Sequence, residues 1–234
     1  MKYYLSFILF FTISICQEIP FKVGELLKYS AQFQQIPVGE AELFFKGDEK
    51  FNEIEVYHIS WRAYTKGLAS TIFKIQDKID IWIDKKDFFT HRLKKDINEG
   101  TYSKKVDVKF DYVKSIAITD KKEVPINFKA RDPFSMFYYL RTIELKENIV
   151  MSFSAYEGKK IINYNLQMTG SEIIKSPLGK FKCKIIKPFR DGKNLLKNSG
   201  DMRIWISDDK QRLPVKIQIK MKVGTMTLLL KEIN

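Results

Sequence analysis

Few side chains in this sequence are of the kinds that do chemistry, and their spacing rarely favours it. The two histidines, His58 and His91, have no neighbouring cysteine and no Glu-x-x-His arrangement, so neither belongs to a zinc-type ligand set. His58 falls on the polar side of an alternating run, where an imidazole is expected to be solvated or hydrogen-bonded rather than a base. Asp208 and Asp209 are adjacent in SDDKQRLP. Two carboxylates can do acid–base work or hold a cation, but aspartate tolerates turn conformations and a strand resumes at Leu213, so a turn is the first reading. Cys183, in the alternating run FKCKII, reads as a small buried hydrophobe rather than a reactive thiol. There is no G-x-S-x-G elbow, P-loop or dinucleotide fingerprint. The sequence predicts no catalytic residue, no metal site and no cofactor. A hydrolase with paired carboxylates across a cleft is the weakest alternative.

Binding chemistry is better represented. In Asp132 to Thr142 (DPFSMFYYLRT), Asp132 suits a helix N-cap and Pro133 the first helical position, with Phe134, Phe137, Tyr138 and Arg141 at three- and four-residue spacing. This short helix carries more aromatics than a solvent-facing one would. It is expected to plug the mouth of a curved sheet or pack on its apolar face. Arg131 and Arg141 could take an anionic head group, although an N-cap flanked by arginines explains them equally well. Together with Trp61, on the apolar side of a strand, the candidate ligand-binding residues are Trp61, Arg131, Phe134, Tyr138 and Arg141.

The elements that must position these residues are strands. In Glu55 to Thr65, Tyr57, Ile59, Trp61 and Ala63 alternate with His58, Ser60 and Arg62; Val106 to Tyr112, Ile162 to Met168 and Leu213 to Val223 alternate in the same way. Period two with one wet face is the pattern of a half-buried strand. Turn signals at Pro37 to Gly39, Gly47-Asp48, Glu99-Gly100, Glu157-Gly158, Leu178-Gly179 and Asp191-Gly192 separate the runs, and short loops favour antiparallel hairpins. About twelve strands are expected, a number that makes a sheet curl or close. The fold class is therefore all-β, mainly antiparallel: a curved sheet forming a half-open barrel or barrel, with one short helix near Asp132 to Thr142. A second helical turn or flap is expected at Leu68 to Phe73, after Gly67.

Residues 1–16 read as a secretory signal peptide and residues 17–234 as a single domain. Lys2 supplies the positive start and Leu5 to Ile13 an apolar run, too short for the roughly 20 residues of a membrane span. Ser14 and Cys16 place small residues where signal peptidase prefers them, predicting cleavage after Cys16 and a periplasmic or extracellular protein. The alternative is a lipoprotein anchored through Cys16, for which Ile15 is an unusual predecessor. The mature chain then holds Cys183 as its single cysteine, so stability must come from packing. Lys+Arg 41 against Asp+Glu 28 gives a formal net charge of +13. Lysines interleave with apolar residues along strands and no nucleic-acid motif accompanies them, so nucleic acid is not expected as a partner. A lysine-rich outer face discourages edge-to-edge pairing, and a monomer is expected. Contact with an anionic membrane surface or envelope polymer stays open.

Three segments resemble a known bacterial family: GELLKYSAQFQQIPVGEAEL at Gly24 to Leu43, RDPFSMFYYLRT at Arg131 to Thr142, and MRIWISDDKQRLPVKIQIKMKVGTMTLLL at Met202 to Leu230, with WISDD…RLPV as the most specific piece. They are similar to the family catalogued as domain of unknown function 3108. The resemblance implies an exported, β-rich envelope protein and assigns no activity or site residue. Two functions follow as expectations. One is a carrier or chaperone holding a lipid or other amphiphile in the concavity, for which Phe 18, Tyr 11 and Trp 3 supply apolar lining. The other is a non-catalytic assembly factor that binds another envelope component through its basic face or a strand edge.

Overall fold

The computed structural model describes residues 19–120, 122–126, 129–147, 149–156, 161–190 and 200–234. The signal segment with Cys16, and the turns expected at Glu157-Gly158 and Asp191-Gly192, lie outside the described residues. Alternation of buried and exposed side chains produces strands β1 (Leu26–Phe33), β2 (Ile36–Phe51) and β3 (Ile54–Thr65), then helix α1 (Gly67–Ile72). Strands β4 (Gln76–Asp84), β5 (Thr90–Glu99), β6 (Tyr102–Asp111), β7 (Ile116–Thr119) and β8 (Glu123–Pro125) lead to helix α2 (Pro133–Thr142). The chain ends in β9 (Val150–Tyr156), β10 (Ile161–Ser176), β11 (Gly179–Phe189), β12 (Asp201–Ser207), β13 (Pro214–Met221) and β14 (Gly224–Ile233).

All 14 strands form one antiparallel sheet in the order β8-β7-β6-β5-β4-β3-β2-β1-β14-β13-β12-β11-β10-β9. The first eight meander to one edge, α2 carries the chain to the other, and the last six return to pair with β1. Leu26 and Asn234 exchange backbone hydrogen bonds of 3.0 Å, so the two described ends lie side by side. The buried side chains of the sheet form a single cluster with those of α2. One face is therefore curled inward around the helix, as sheets of this width require.

The sheet does not close, but its seam is bridged. The segment before α2 links β5 to the edge strand β9: the Ala130 carbonyl accepts from Thr90 N and Arg131 N donates to the Ser154 carbonyl, both at 2.8 Å. The rings of Phe110 on β6 and Tyr156 on β9 meet edge to face at 5.5 Å. The expected half-open barrel is thus the observed architecture.

Fourteen strands replace the expected twelve because β13 and β14 are separate and β8 escaped notice; three residues containing Pro125 show no periodicity. Two expected turns are corrected. Pro37 to Gly39 and Gly47-Asp48 lie inside β2, and the chain reverses instead at Gln34-Gln35 and Asn52-Glu53, all four with positive φ. Gly39 is glycine because a Cβ there would stand 2.2 Å from the Tyr64 carbonyl oxygen on β3. Gly47, at φ 106°, produces a bulge, shifting the β2–β3 register between Phe45 and Gly47.

Candidate binding site

Helix α2 blocks one end of the curled sheet. Asp132 caps it, accepting from Phe134 N at 2.8 Å and Ser135 N at 3.1 Å, while Ser135 Oγ accepts from Asp132 N at 3.1 Å. Asp132 also accepts from Thr90 Oγ1 at 2.8 Å, which pins the helix start to β5. Ser135, Met136, Phe137, Tyr138, Leu140 and Arg141 are all buried, so the helix lies inside the sheet rather than on it. Phe21 packs under it, 4.8 Å from the Tyr138 ring and 4.8 Å from Phe45.

The far end of α2 is held by a buried ion pair. Arg141 donates to both Glu25 oxygens, at 2.5 and 2.9 Å, to the Pro20 carbonyl at 3.1 Å and to the Gln211 carbonyl at 3.2 Å. Its guanidinium lies 5.1 Å from the Phe21 ring centre and 5.6 Å from that of Tyr138. One side chain thereby ties α2 to the segment before β1 and to the β12–β13 turn. Arg212 Nη1 returns a bond to the Arg141 carbonyl at 3.1 Å. The hydroxyls of Tyr29 and Tyr138 are buried and have no partner among the described residues. Burial raises the pKa of both phenols, so neither ionises near neutrality.

Toward the opposite end the inward side chains are progressively less covered. On β3 the inward side chains run from Ile59, fully buried, through Trp61 to half-buried Ala63. The same gradient leads from Leu93 to Ile97 on β5, from Val108 to Val106 on β6, from Ile204 to Met202 on β12 and from Leu230 to Leu228 on β14. Apolar side chains thus line most of a trough whose floor is Phe134 against Trp61, ring centres 5.0 Å apart, with Lys95 on the same face of β5 as Leu93 and Ile97. At its lip, Asp77 and Glu99 hydrogen-bond each other. Burial, together with each other's charge on Glu99 and Asp96 on Asp77, raises both carboxyls above their usual range, against the pull of Asn98 N on Asp77.

Of the five candidate residues, Trp61 and Phe134 face the trough, and Tyr138 lies beneath it within the core. Arg141 is engaged by Glu25 and two carbonyls. Arg131 stands apart at the seam, donating from Nε and Nη2 to the Asp87 carbonyl and stacking 4.2 Å from the Tyr139 ring centre. Burial lowers its pKa. Sequence reasoning missed Glu25, Asp77 and Glu99. For the last two the signal was present: acidic residues on the apolar parity of their strands, with Ile79 and Ile97.

Elsewhere the buried His91 Nε2 has no partner among the described residues, and most other chemistry-bearing side chains are engaged. On the outer face, His58 Nδ1 lies 2.6 Å from the Glu49 carboxylate, its Nε2 lies 3.0 Å from the Asp80 carboxylate and 3.2 Å from Lys46 Nζ, and the ring stacks on Trp82 at 4.4 Å. Ser60, two residues on, is buried with its hydroxyl unpartnered among the described residues. Neither imidazole nitrogen is bonded to Ser60, so this grouping lacks the serine–histidine contact of a charge relay. Asp209 organises the β12–β13 turn, accepting from Ser207 Oγ, Gln211 N and Arg212 N at 2.9, 2.9 and 3.0 Å. Asp208 pairs with Lys184 at 3.1 Å. Cys183 is fully buried, which pushes its thiol up to about 12. A separate cleft of about 420 Å³ lies at the closed end, beside Pro20, Phe21, Glu25 and Gln211.

A family model described as "Protein of unknown function (DUF3108)" matches residues 28–231. No curated protein matches the sequence. Among solved structures, a beta-barrel-like protein of domain of unknown function DUF1849 from Brucella abortus superposes with a TM-score of 0.59 at 10% identity, covering 91% of this chain and 97% of that one. A presumptive lipoprotein from Parabacteroides distasonis gives 0.42 at 11% identity, with 92% and 98% covered. A presumptive exported protein from Bacteroides fragilis gives 0.41 at 9% identity, with 92% and 98% covered. The first similarity supports the barrel-like fold; the other two are too distant to argue from.

Proposed function

This chain belongs to the family of proteins of unknown function DUF3108, and from that premise we propose that it is an exported, non-catalytic protein that binds a lipid or other amphiphile in the trough of its curled sheet. The observation that carries this reading is the burial gradient. Inward apolar side chains are fully covered beside α2 and only half covered beyond Phe134, so one end of an otherwise packed interior presents apolar surface to a guest. The polar lip suits an amphiphile better than a bare hydrocarbon, since Asp77 and Glu99 stand where a head group would emerge. Export rests on the apolar run Leu5 to Ile13 and the small residues before Gln17.

The test uses residues 17–234, stripped of lipid and titrated with an apolar fluorescent probe, alongside native mass spectrometry and lipid extraction of the protein as purified. A copurifying amphiphile, with probe binding lost in Ile97→Arg and weakened in Phe134→Ala at unchanged melting temperature, is the expected result. No amphiphile and no probe response would sink the proposal.

A second reading, an assembly factor engaged through a strand edge, is favoured by β9. This edge strand begins at Val150, which with the preceding Ile149 is 48% exposed, and an extended partner segment could add to it.

A further inference from the structure

The lip of the trough has an outer surface of its own. Four connections meet there: the β1–β2 turn, α1 with its flanks, the β5–β6 turn and the β13–β14 turn. Contacts link them in series. Gln34 N donates to the Thr225 carbonyl at 2.9 Å, Lys66 N to the Val38 carbonyl at 3.0 Å, and Gly100 N to the Lys74 carbonyl at 2.8 Å. The Phe73 ring is so close to Gly100 that a Cβ there would lie 2.7 Å from it.

This rim is apolar and exposed. Leu68 and Ile72, one turn apart on α1, are 83% and 85% exposed; Val223 is 75%, Ile36 66%, and Tyr102 and Phe73 about half. Helix α1 buries no residue at all. A six-residue helix is too short to be stable alone, and here it spends its apolar face on solvent. Lysines outnumber carboxylates beside these side chains. Residues 34–38, 66–76, 98–105 and 220–226 contain Lys66, Lys74, Lys104, Lys105, Lys220 and Lys222 against Glu99 alone. Lys66 and Lys105 lean on Glu40 and Asp96 at 2.7 and 3.7 Å. Ile19 and Asn234, the first and last described residues, lie at the opposite end of the sheet.

We propose that the rim formed by α1, the β1–β2, β5–β6 and β13–β14 turns docks on an anionic lipid bilayer, with Leu68, Ile72, Phe73 and Val223 entering the interface and the lysines meeting the head groups. Apolar insertion flanked by cationic side chains is how a protein holds a membrane surface without spanning it. The trough then opens against the bilayer. Docking does not require that the trough hold a guest, so it stands or falls separately from amphiphile binding.

The experiment is flotation of residues 17–234 with vesicles of phosphatidylcholine alone and of phosphatidylcholine with an equal part of phosphatidylglycerol. Binding is expected to the anionic vesicles, weakening as salt screens the lysines. Leu68→Ser with Ile72→Ser should reduce it about tenfold or more. Val113→Ser, at the opposite end and 98% exposed, should change nothing. Ile97→Arg should float as the parent does even if it abolishes probe binding. Tryptophan in Leu68→Trp should shift to the blue on anionic vesicles. Absence of flotation, or flotation indifferent to the α1 substitutions at unchanged melting temperature, overturns the proposal. So would sedimentation showing a dimer that the same substitutions dissociate, because the rim would then serve a second copy of this chain.

Discussion

At the scale of single residues, the buried pair of Arg141 and Glu25 decides more than any other contact. Removing one partner leaves the other charge buried without its counter-ion. Arg141→Met or Glu25→Leu alone is expected to cost about 3–5 kcal/mol, and the double substitution less than either. Denaturant unfolding of the three variants checks this; a double variant as unstable as the sum of the singles would mean that the two side chains act separately. Glu40 makes a pH-dependent contribution. Burial favours its neutral form, but bonds from Lys231 at 2.5 Å, Lys66 at 2.7 Å and Tyr64 at 2.9 Å outweigh this and bring its carboxyl down to about 2. A carboxyl depressed in the folded state stabilises above its unfolded pKa, and that stability is lost as pH falls toward the folded value. Glu40→Gln should therefore be less stable than the parent at neutral pH, by about 2 kcal/mol. The difference should shrink between roughly pH 4.5 and 2, where the parent's carboxylate is titrated. Parallel pH-dependent melts would reveal a constant gap if the assignment were wrong.

At the scale of elements, the two helices contrast. Helix α2 was legible because Asp132, Pro133 and the aromatic spacing are local signals, and the structure adds that Asp132 also holds Thr90. Asp132→Ala should cost about 1–2 kcal/mol, read as a lower melting temperature with far-ultraviolet circular dichroism nearly unchanged. Helix α1 was legible only as a turn or flap after Gly67, since six residues carry too little periodicity. Its lack of buried side chains predicts fast amide exchange at Leu68 to Ile72, beside strong protection in β3 and β4; comparable protection in α1 would mean that something covers it. The turns show why boundaries are harder than periods. Gln34-Gln35 and Asn52-Glu53 reverse the chain in conformations that glycine usually supplies, so glycine and proline drew attention to the wrong places within β2.

At the scale of the whole molecule, the address of the protein hangs on Cys16. Cleavage after it leaves Gln17 as the first residue and a free domain, and intact-mass measurement of the exported protein should find that mass. A diacylglyceryl group on Cys16 would instead tether the chain at the end near Ile19, away from the α1 rim. Alternation with period two determined from sequence alone that this is an antiparallel sheet with one apolar face, because side-chain direction along a strand is a local property. The same local rules identified α2 and its cap, the turn at Asp208-Asp209, and the buried, inert character of Cys183. Which strands become neighbours is not local. Closure of β1 on β14, the bridge at Ala130 and Arg131, and the meeting of Glu25 with Arg141 join residues far apart in the chain. The trough belongs to the same category. Its apolar lining was visible residue by residue, but how far those side chains are covered depended on how the sheet curls around α2.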